Sequence, residues 1–535
     1  MALKKLILPG LAVTALVGGV AGFFFLNGTS SDKTTPLAIA KVLPDEAYMA
    51  AFISTDDKNW EKLKKFGTPD AQKAIEQSFQ KMRQDMMSDS KVDFDKDLKP
   101  WMGNTMVAIL PSSKKDEVEV VAAIAIKDKV SALNFANKVK SDSKAKTTET
   151  DYKGVKIVET VTEKSKEPSY TAVLNDSYLI MASSRTGIEQ SIEAMKGSAS
   201  FASNPETATQ LAQKDSGEAV IARIYMPIPA MAKAMSADPK MDAAAIESLK
   251  NLQSVSGTLS ITDVGLRLKG EVKVDPKIAM DLKPSPGKAS SLFPADTFAL
   301  LSGSNLSSYW NQVAEQSETN ADAKKFIDLM RGSSQMIGLD LDKDVFGWMT
   351  GEFAIGMMPT DQGVMAQLGF GQAMVFQTSD RKAAEATLGK LDTLAKSQSL
   401  SIAARDVNGK KVTEWQTPQG VLLGHGWIND DTMFIATGDQ LVSTFSSQPN
   451  PALNSSDGFK TVMAALPQQN TGYFYMDVEK MTSLMNKLTQ GAHTAKLEPE
   501  ARAFVESVRG IGSTTTQVDK TTSQFEAILA LKPAK

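Results

Sequence analysis

Two short acidic runs carry the densest chemistry in the sequence, Asp93, Asp95 and Asp97 in the first half and Asp340, Asp342 and Asp344 in the second. Alternating carboxylates on one loop can converge on a hard cation, and calcium is the ion they would suit. A calcium loop of the EF-hand type needs Gly at its sixth position and a bidentate Glu at its twelfth. Here those positions hold Leu98 or Val345, and Asn104 or Gly351. The better fit is structural: an Asp caps a short helix, its neighbours favour the positive N-terminus, and Trp101 or Trp348 enters the core one turn later. Pro100 is tolerated in a first helical turn and so agrees with a cap at Asp97. The six aspartates remain weak metal candidates, and no catalytic residue or cofactor is assigned.

Other side chains offer less. The chain has no Cys, which removes thiolate nucleophiles, iron–sulfur ligation, thiol zinc sites and disulfides together. Its two histidines, His425 and His493, both lie in the second half, so no repeated site can use them. Gly369-Phe-Gly371 and Gly424-His-Gly426 lack the third Gly and following helix of a dinucleotide loop. Ser285-Pro-Gly-Lys288 matches S-x-x-K only inside a Pro/Gly-rich segment. The 26 methionines either line an adaptable apolar groove or fill irregular cores; Met231/Met235 and Met481/Met485 each share a helix face.

Lys plus Arg (59) nearly balances Asp plus Glu (62), so no field gathers nucleic-acid phosphates, and nucleic-acid binding is excluded. A hydrophobic fraction of 42% with 23% charged residues is that of a globular protein, and 535 residues exceed a single core.

The elements that must position these residues begin with a membrane anchor. After Lys4 and Lys5, residues 6–26 are uncharged and span about 30 Å as a helix, which matches a bilayer core. No small-x-small cleavage site follows closely, which favours an uncleaved signal anchor over a cleaved signal peptide. Residues 1–5 then stay in the cytoplasm by the positive-inside tendency, and the remainder is exported to the periplasm or a thylakoid lumen. Thr14, Gly18 and Gly22 form a small-residue stripe that would let two such helices approach as a homodimer, although small residues are common in membrane helices generally.

Beyond a polar spacer at residues 27–41, a collinear series of matches recurs at an offset near 250 residues. Leu43-Pro44 and Tyr48 match Phe293-Pro294 and Phe298, and Trp60 matches Trp310. The block VDFDKDLKPWM ending at Met102 matches LDLDKDVFGWM ending at Met349 at six of eleven positions. Gly154 matches Gly409, Asn175-Asp176 matches Asn429-Asp430, and Tyr225-Met226 matches Tyr475-Met476. The pattern predicts a tandem duplication, residues 42–274 and 291–535, joined by a linker at 275–290 that contains Pro276, Pro284, Pro286 and Gly287.

Within each copy, runs of strands are interrupted by helices without regular βαβ alternation, which predicts an α+β unit with a largely antiparallel sheet and helices on one face. The stretch Val118 to Ile126 is nearly all apolar, as a doubly covered strand would be. Residues 69–87 predict a helix whose Ile75, Phe79, Met82 and Met86 point inward.

The repeated Asp block ending in Trp-Met, the opening Leu/Phe-Pro with an aromatic four residues on, and the Gly turns resemble an uncharacterised cyanobacterial family of N-terminally anchored envelope proteins with a duplicated domain of unknown function. The resemblance covers most of residues 42–535 and implies a cellular setting but no chemistry. The anchor, the duplication and the absence of a catalytic motif together predict a non-enzymatic binding or scaffold protein of the cell envelope or thylakoid lumen, bound to the bilayer through residues 6–26 and to a protein or apolar ligand outside it. Two alternatives stand beside it: a carrier or sensor of a lipid or pigment, and a carboxylate-dependent hydrolase built on the aspartate blocks.

Overall fold

A computed structural model describes residues 31–534 apart from 75, 78–79, 81–92, 113–117, 143–145, 162–166, 214–216, 237–245, 247–248, 280–281, 319–320 and 490–496. The anchor at 6–26, the Thr14/Gly18/Gly22 face, most of the helix expected at 69–87, and His493 lie outside the described residues. Among the described residues, no helix is long and apolar enough to cross a membrane.

The chain divides into two compact units. Unit 1 takes residues up to 65, 72–262 and 270–273; unit 2 takes 66–71, 263–269 and 274 onward. Unit 1 holds strands β1 (Met49–Ile53), β2 (Met102–Pro111), β3 (Val118–Ile126), β4 (Lys146–Tyr152), β5 (Val155–Val161), β6 (Ser169–Leu174), β7 (Tyr178–Ala182), β8 (Ala219–Pro227) and β9 (Leu252–Ile261). They pair antiparallel in the order β4-β5-β6-β7-β3-β2-β1-β8-β9. Strand β10 (Gly265–Val274) has residues in both units.

Unit 2 holds β11 (Ala299–Ser304), β12 (Glu352–Pro359), β13 (Phe370–Gln377), β14 (Ser401–Val407), β15 (Lys410–Thr417), β16 (Gly420–Trp427), β17 (Thr432–Thr437), β18 (Gly472–Asp477), β19 (Val508–Gln517) and β20 (Thr522–Leu531). Their antiparallel order is β14-β15-β16-β17-β13-β12-β11-β18-β19-β20. Each unit is therefore α+β with an antiparallel sheet, and the pairing order of the first nine strands is the same in both.

Turn chemistry sets the hairpins. Lys153 and Gly154 between β4 and β5, and Asn408 and Gly409 between β14 and β15, all take positive φ. Two consecutive positive-φ residues make the turn whose twist matches the flanking strands. Asp151 and Asp406 close it by accepting from the Gly154 and Gly409 amides at 3.0 and 2.9 Å.

Three helices matter for unit 1 and its chain entry. Within residues 27–41, Ser31–Thr34 forms a tight turn and α1 (Pro36–Ala40) starts at Thr35, whose hydroxyl accepts from the Ala38 amide at 3.2 Å. Ile39 and Ala40 are fully buried, so this part of the polar stretch packs into unit 1. Helices α2 (Lys129–Asp142) and α3 (Arg185–Met195) complete the cover, and α4 (Leu306–Ser317) opens the helical part of unit 2. It is followed by α5 (Ala321–Met336), α6 (Arg381–Ser397) and α7 (Gly438–Phe445).

The helices cover both faces of the sheet, which corrects the one-face expectation. Along β3, Val121, Ala123 and Ala125 pack with Ile39, Ile188 and Ile192 of α1 and α3. The alternate residues Ala122, Ile124 and Ile126 pack with Trp101 and with Ala132 and Phe135 of α2. Because successive strand side chains point to opposite faces, an all-apolar strand needs two covers, and β3 has them. In unit 2, Ala373 and Val375 of β13 join Leu441 and Phe445 of α7, while Phe376 joins Trp348 and Leu388 of α6.

Candidate functional site

The aspartate blocks form one local structure twice. In unit 1 the Asp93 carboxylate accepts from the Lys96 amide at 3.0 Å, and the chain then makes a wide turn closed by the Lys99 amide on the Phe94 carbonyl at 2.8 Å. In unit 2 Asp340 accepts from the Asp342 and Lys343 amides at 2.9 and 3.1 Å, and the Phe346 amide reaches the Leu341 carbonyl at 2.9 Å. These bonds span five residues, one more than an α-helical turn. The cap is thus Asp93 or Asp340, which corrects the expected cap at Asp97.

Asp97 and Asp344 instead turn back on the cap. Asp97 Oδ2 accepts from the Asp93 amide at 2.8 Å and from Lys138 Nζ of α2 at 2.5 Å. Asp344 Oδ2 accepts from the Asp340 amide at 2.8 Å and from Lys390 Nζ of α6 at 2.6 Å. The indoles of Trp101 and Trp348, both buried, donate to the Asp97 and Asp344 carbonyls at 2.8 Å in each case. Their rings lie against Phe135 and Phe376. Sequence reasoning missed Lys138 and Lys390; extending the repeat alignment through the following helix was the signal that could have found them.

The third pair differs between the units. Asp95 is exposed, whereas Asp342 accepts from Arg331 Nε and Nη2, at 3.0 and 2.9 Å, and from the Trp310 indole at 2.6 Å. In unit 1 the matching Trp60 indole donates to the Ser54 carbonyl at 2.7 Å.

The electrostatics follow the partners. Burial pushes the Asp97 carboxyl up, but the Lys138 ammonium and the Asp93 amide outweigh it and hold the group below the usual carboxylate range. The Arg331 guanidinium lowers Asp342, and the Lys390 ammonium with the Asp340 amide lowers Asp344. A general acid of a hydrolase would need the opposite shift. Among the described residues, no group of three or more His, Cys, Asp or Glu is placed to hold a metal ion.

His425 on β16 is buried and its Nε2 lies 2.9 Å from Asp392 Oδ1 of α6, which also accepts from the Trp415 indole at 2.7 Å. The shared acceptor ties α6 to the sheet. One further surface stands out: α5 exposes Phe326, Leu329 and Met336 while Ile327 on its other side is buried.

With this geometry in hand, the family comparison is decisive: a model described as protein of unknown function, DUF3352, matches residues 7–531. The chain belongs to the DUF3352 family. No curated protein matches it. Two solved structures, crystal forms III and I of TP0453, align with DUF3352 here at 8% and 9% identity and TM-scores of 0.27 and 0.26. They cover 44% of this chain and 80% and 79% of their own. At those TM-scores the likeness carries nothing further for this DUF3352 chain.

Proposed function

We propose that this protein is a membrane-anchored, extracytoplasmic binding or scaffold protein of the cell envelope or thylakoid lumen, and that it binds a protein partner through the outward side of α5. The carrying observation is the exposure pattern of that helix. Phe326, Leu329 and Met336 are 61%, 67% and 88% exposed, against 4% for Ile327. Positions 326, 329 and 336 fall on one side of a helix of 3.6 residues per turn, so the three side chains form a stripe. Ile337, just past the helix end, is also exposed. Large apolar side chains grouped on one water-facing side of a helix support an interaction surface, since their burial against a partner is favourable by roughly 25 cal/mol per Å².

The framework supports a duplicated origin for the two units. The same pairing order of nine strands, the two Asp–Trp turns with their helix-borne Lys138 and Lys390, and the six identities in eleven residues all recur in chain order. In this reading the shared parts build the fold, and binding belongs to the outward side of the Arg331-bearing helix that Asp342 and Trp310 hold in place.

The test is affinity capture of the intact anchored chain from its own membranes, comparing the wild type with Leu329→Asp. A partner recovered with the wild type and lost with the variant supports the reading; a partner set unchanged by the variant counts against α5 as the surface.

A further inference from the structure

We infer that unit 1 rests directly on the bilayer through one end of its sheet, with the first turn of α2 at the lipid headgroups. The inference builds on the anchor reading of residues 6–26 and adds which face of the folded protein meets the membrane.

Chain length makes the argument. Between Leu26, the last residue of the apolar run, and Ser31, the first described residue, there are five Cα-to-Cα steps. Even fully extended they reach no more than about 18 Å. From Ser31 onward the chain is fastened to unit 1. Lys33 Nζ donates to Ser177 Oγ at 2.9 Å, the Tyr178 hydroxyl donates to the Lys33 carbonyl at 2.9 Å, and Asn104 Nδ2 donates to the Thr34 carbonyl at 3.0 Å. No long tether remains once those residues are held.

The fastening point identifies the end of the sheet. Asn104 lies near the start of β2, Tyr178 opens β7, and Ile126 closes β3 between them, paired with Met102 and with its amide on the Ser177 carbonyl at 2.8 Å. Two residues separate the end of β3 from the start of α2 at Lys129. There Val130 is 70% exposed, next to Lys129, whose Nζ lies 3.8 Å from Asp176 in the β6–β7 turn. Ile53, at the end of β1 on the same side of the ladder with Thr105, is exposed as well.

The chemistry of this rim suits a headgroup layer. Lys33, Lys127 and Lys129 alternate with Asp128 and Asp176, so the rim is mixed in charge and does not demand an anionic surface. Long lysine stems can lie along apolar surface with their ammonium groups in water, and Val130 supplies apolar contact between them. The opposite end of β3 is Val118, about 27 Å away along the strand, too far for the headgroups to reach if the rim touches them.

The absence of Cys makes the experiment clean, since single-site labels need no background removal. Val130→Cys and Val118→Cys are made in the full chain; both replace exposed valines. Each is labelled with an environment-sensitive fluorophore, reconstituted in phosphatidylcholine vesicles, floated, and titrated with lipids carrying a nitroxide near the headgroup. The expected result is flotation of both proteins with quenching several-fold stronger at 130 than at 118. Flotation with equal quenching at the two positions overturns the inference and leaves the anchor standing. Failure to float overturns the anchor reading, and the inference with it.

Discussion

The indole N–H of Trp101 donates to the backbone carbonyl of Asp97 at 2.8 Å, four residues back in the chain. Trp348 repeats this with Asp344 at the same distance. In each unit the bond locks a buried ring to the wide turn that carries the acidic block, so the aspartates and the tryptophan act as one structural piece.

That piece predicts a graded loss. Trp101→Phe keeps most of the ring contact with Phe135 but removes the donor, and should cost about 1 kcal/mol in urea unfolding; Trp101→Ala should cost about 3–5 kcal/mol because it also leaves a cavity. Equal losses for both substitutions would mean that packing carries little of the stability.

Cap removal gives a second prediction. Asp93→Ala and Asp340→Ala each free backbone amides that now have a partner, and should lower stability by about 0.5–2 kcal/mol. Asp95→Ala, at the exposed position, should stay within about 0.5 kcal/mol of the wild type. A loss at Asp95 comparable to that at Asp93 would contradict the capping assignment.

Acid should loosen unit 2 in a definite direction. Asp342 and Asp344 are held below their ordinary values by Arg331 and Lys390, so they bind protons less readily folded than unfolded. Their contribution is therefore present above the unfolded carboxylate value, about 3.9, and is lost as pH falls through the lower folded value. Lys390 is nearly half exposed, which limits the Lys390–Asp344 pair to a few tenths of a kcal/mol. Asp342→Asn and Asp344→Asn should each flatten the fall of unfolding midpoint with acidification. Unchanged steepness in both variants would show that these groups do not titrate with folding.

The framework was legible in the sequence where identity and spacing repeat. The β3 run announced a doubly covered strand because every one of its last six positions is apolar, and the Gly154 and Gly409 turns followed from the two-residue spacing between strands. The cap was read four residues late because Asp93 and Asp97 are equally able to cap, and a five-residue turn leaves no periodic mark. The short polar stretch before unit 1 hid α1 for a similar reason: a helix of five residues is too short to show a period. The outward side of α5 was not legible at all. Phe326, Ile327, Leu329 and Met330 spread apolar groups over nearly half of the helix circumference, and only the fold decides that Ile327 faces in and Phe326 out.

A surface role for that outward side also predicts what it leaves alone. Phe326→Asp and Leu329→Asp should change stability by no more than about 0.5 kcal/mol, since both side chains already face water. A large destabilisation would recast the stripe as part of a core.

The most direct measurement of the proposed binding role is site-specific photocrosslinking in native membranes, with a benzophenone side chain placed at Leu329 of the intact chain and, as control, at exposed Gln335, which lies on another side of the same helix. A discrete protein adduct from 329, absent from 335 and abolished by Phe326→Asp, is the result expected of a protein-binding face. Adducts to lipid alone, or no adduct from 329, would contradict it.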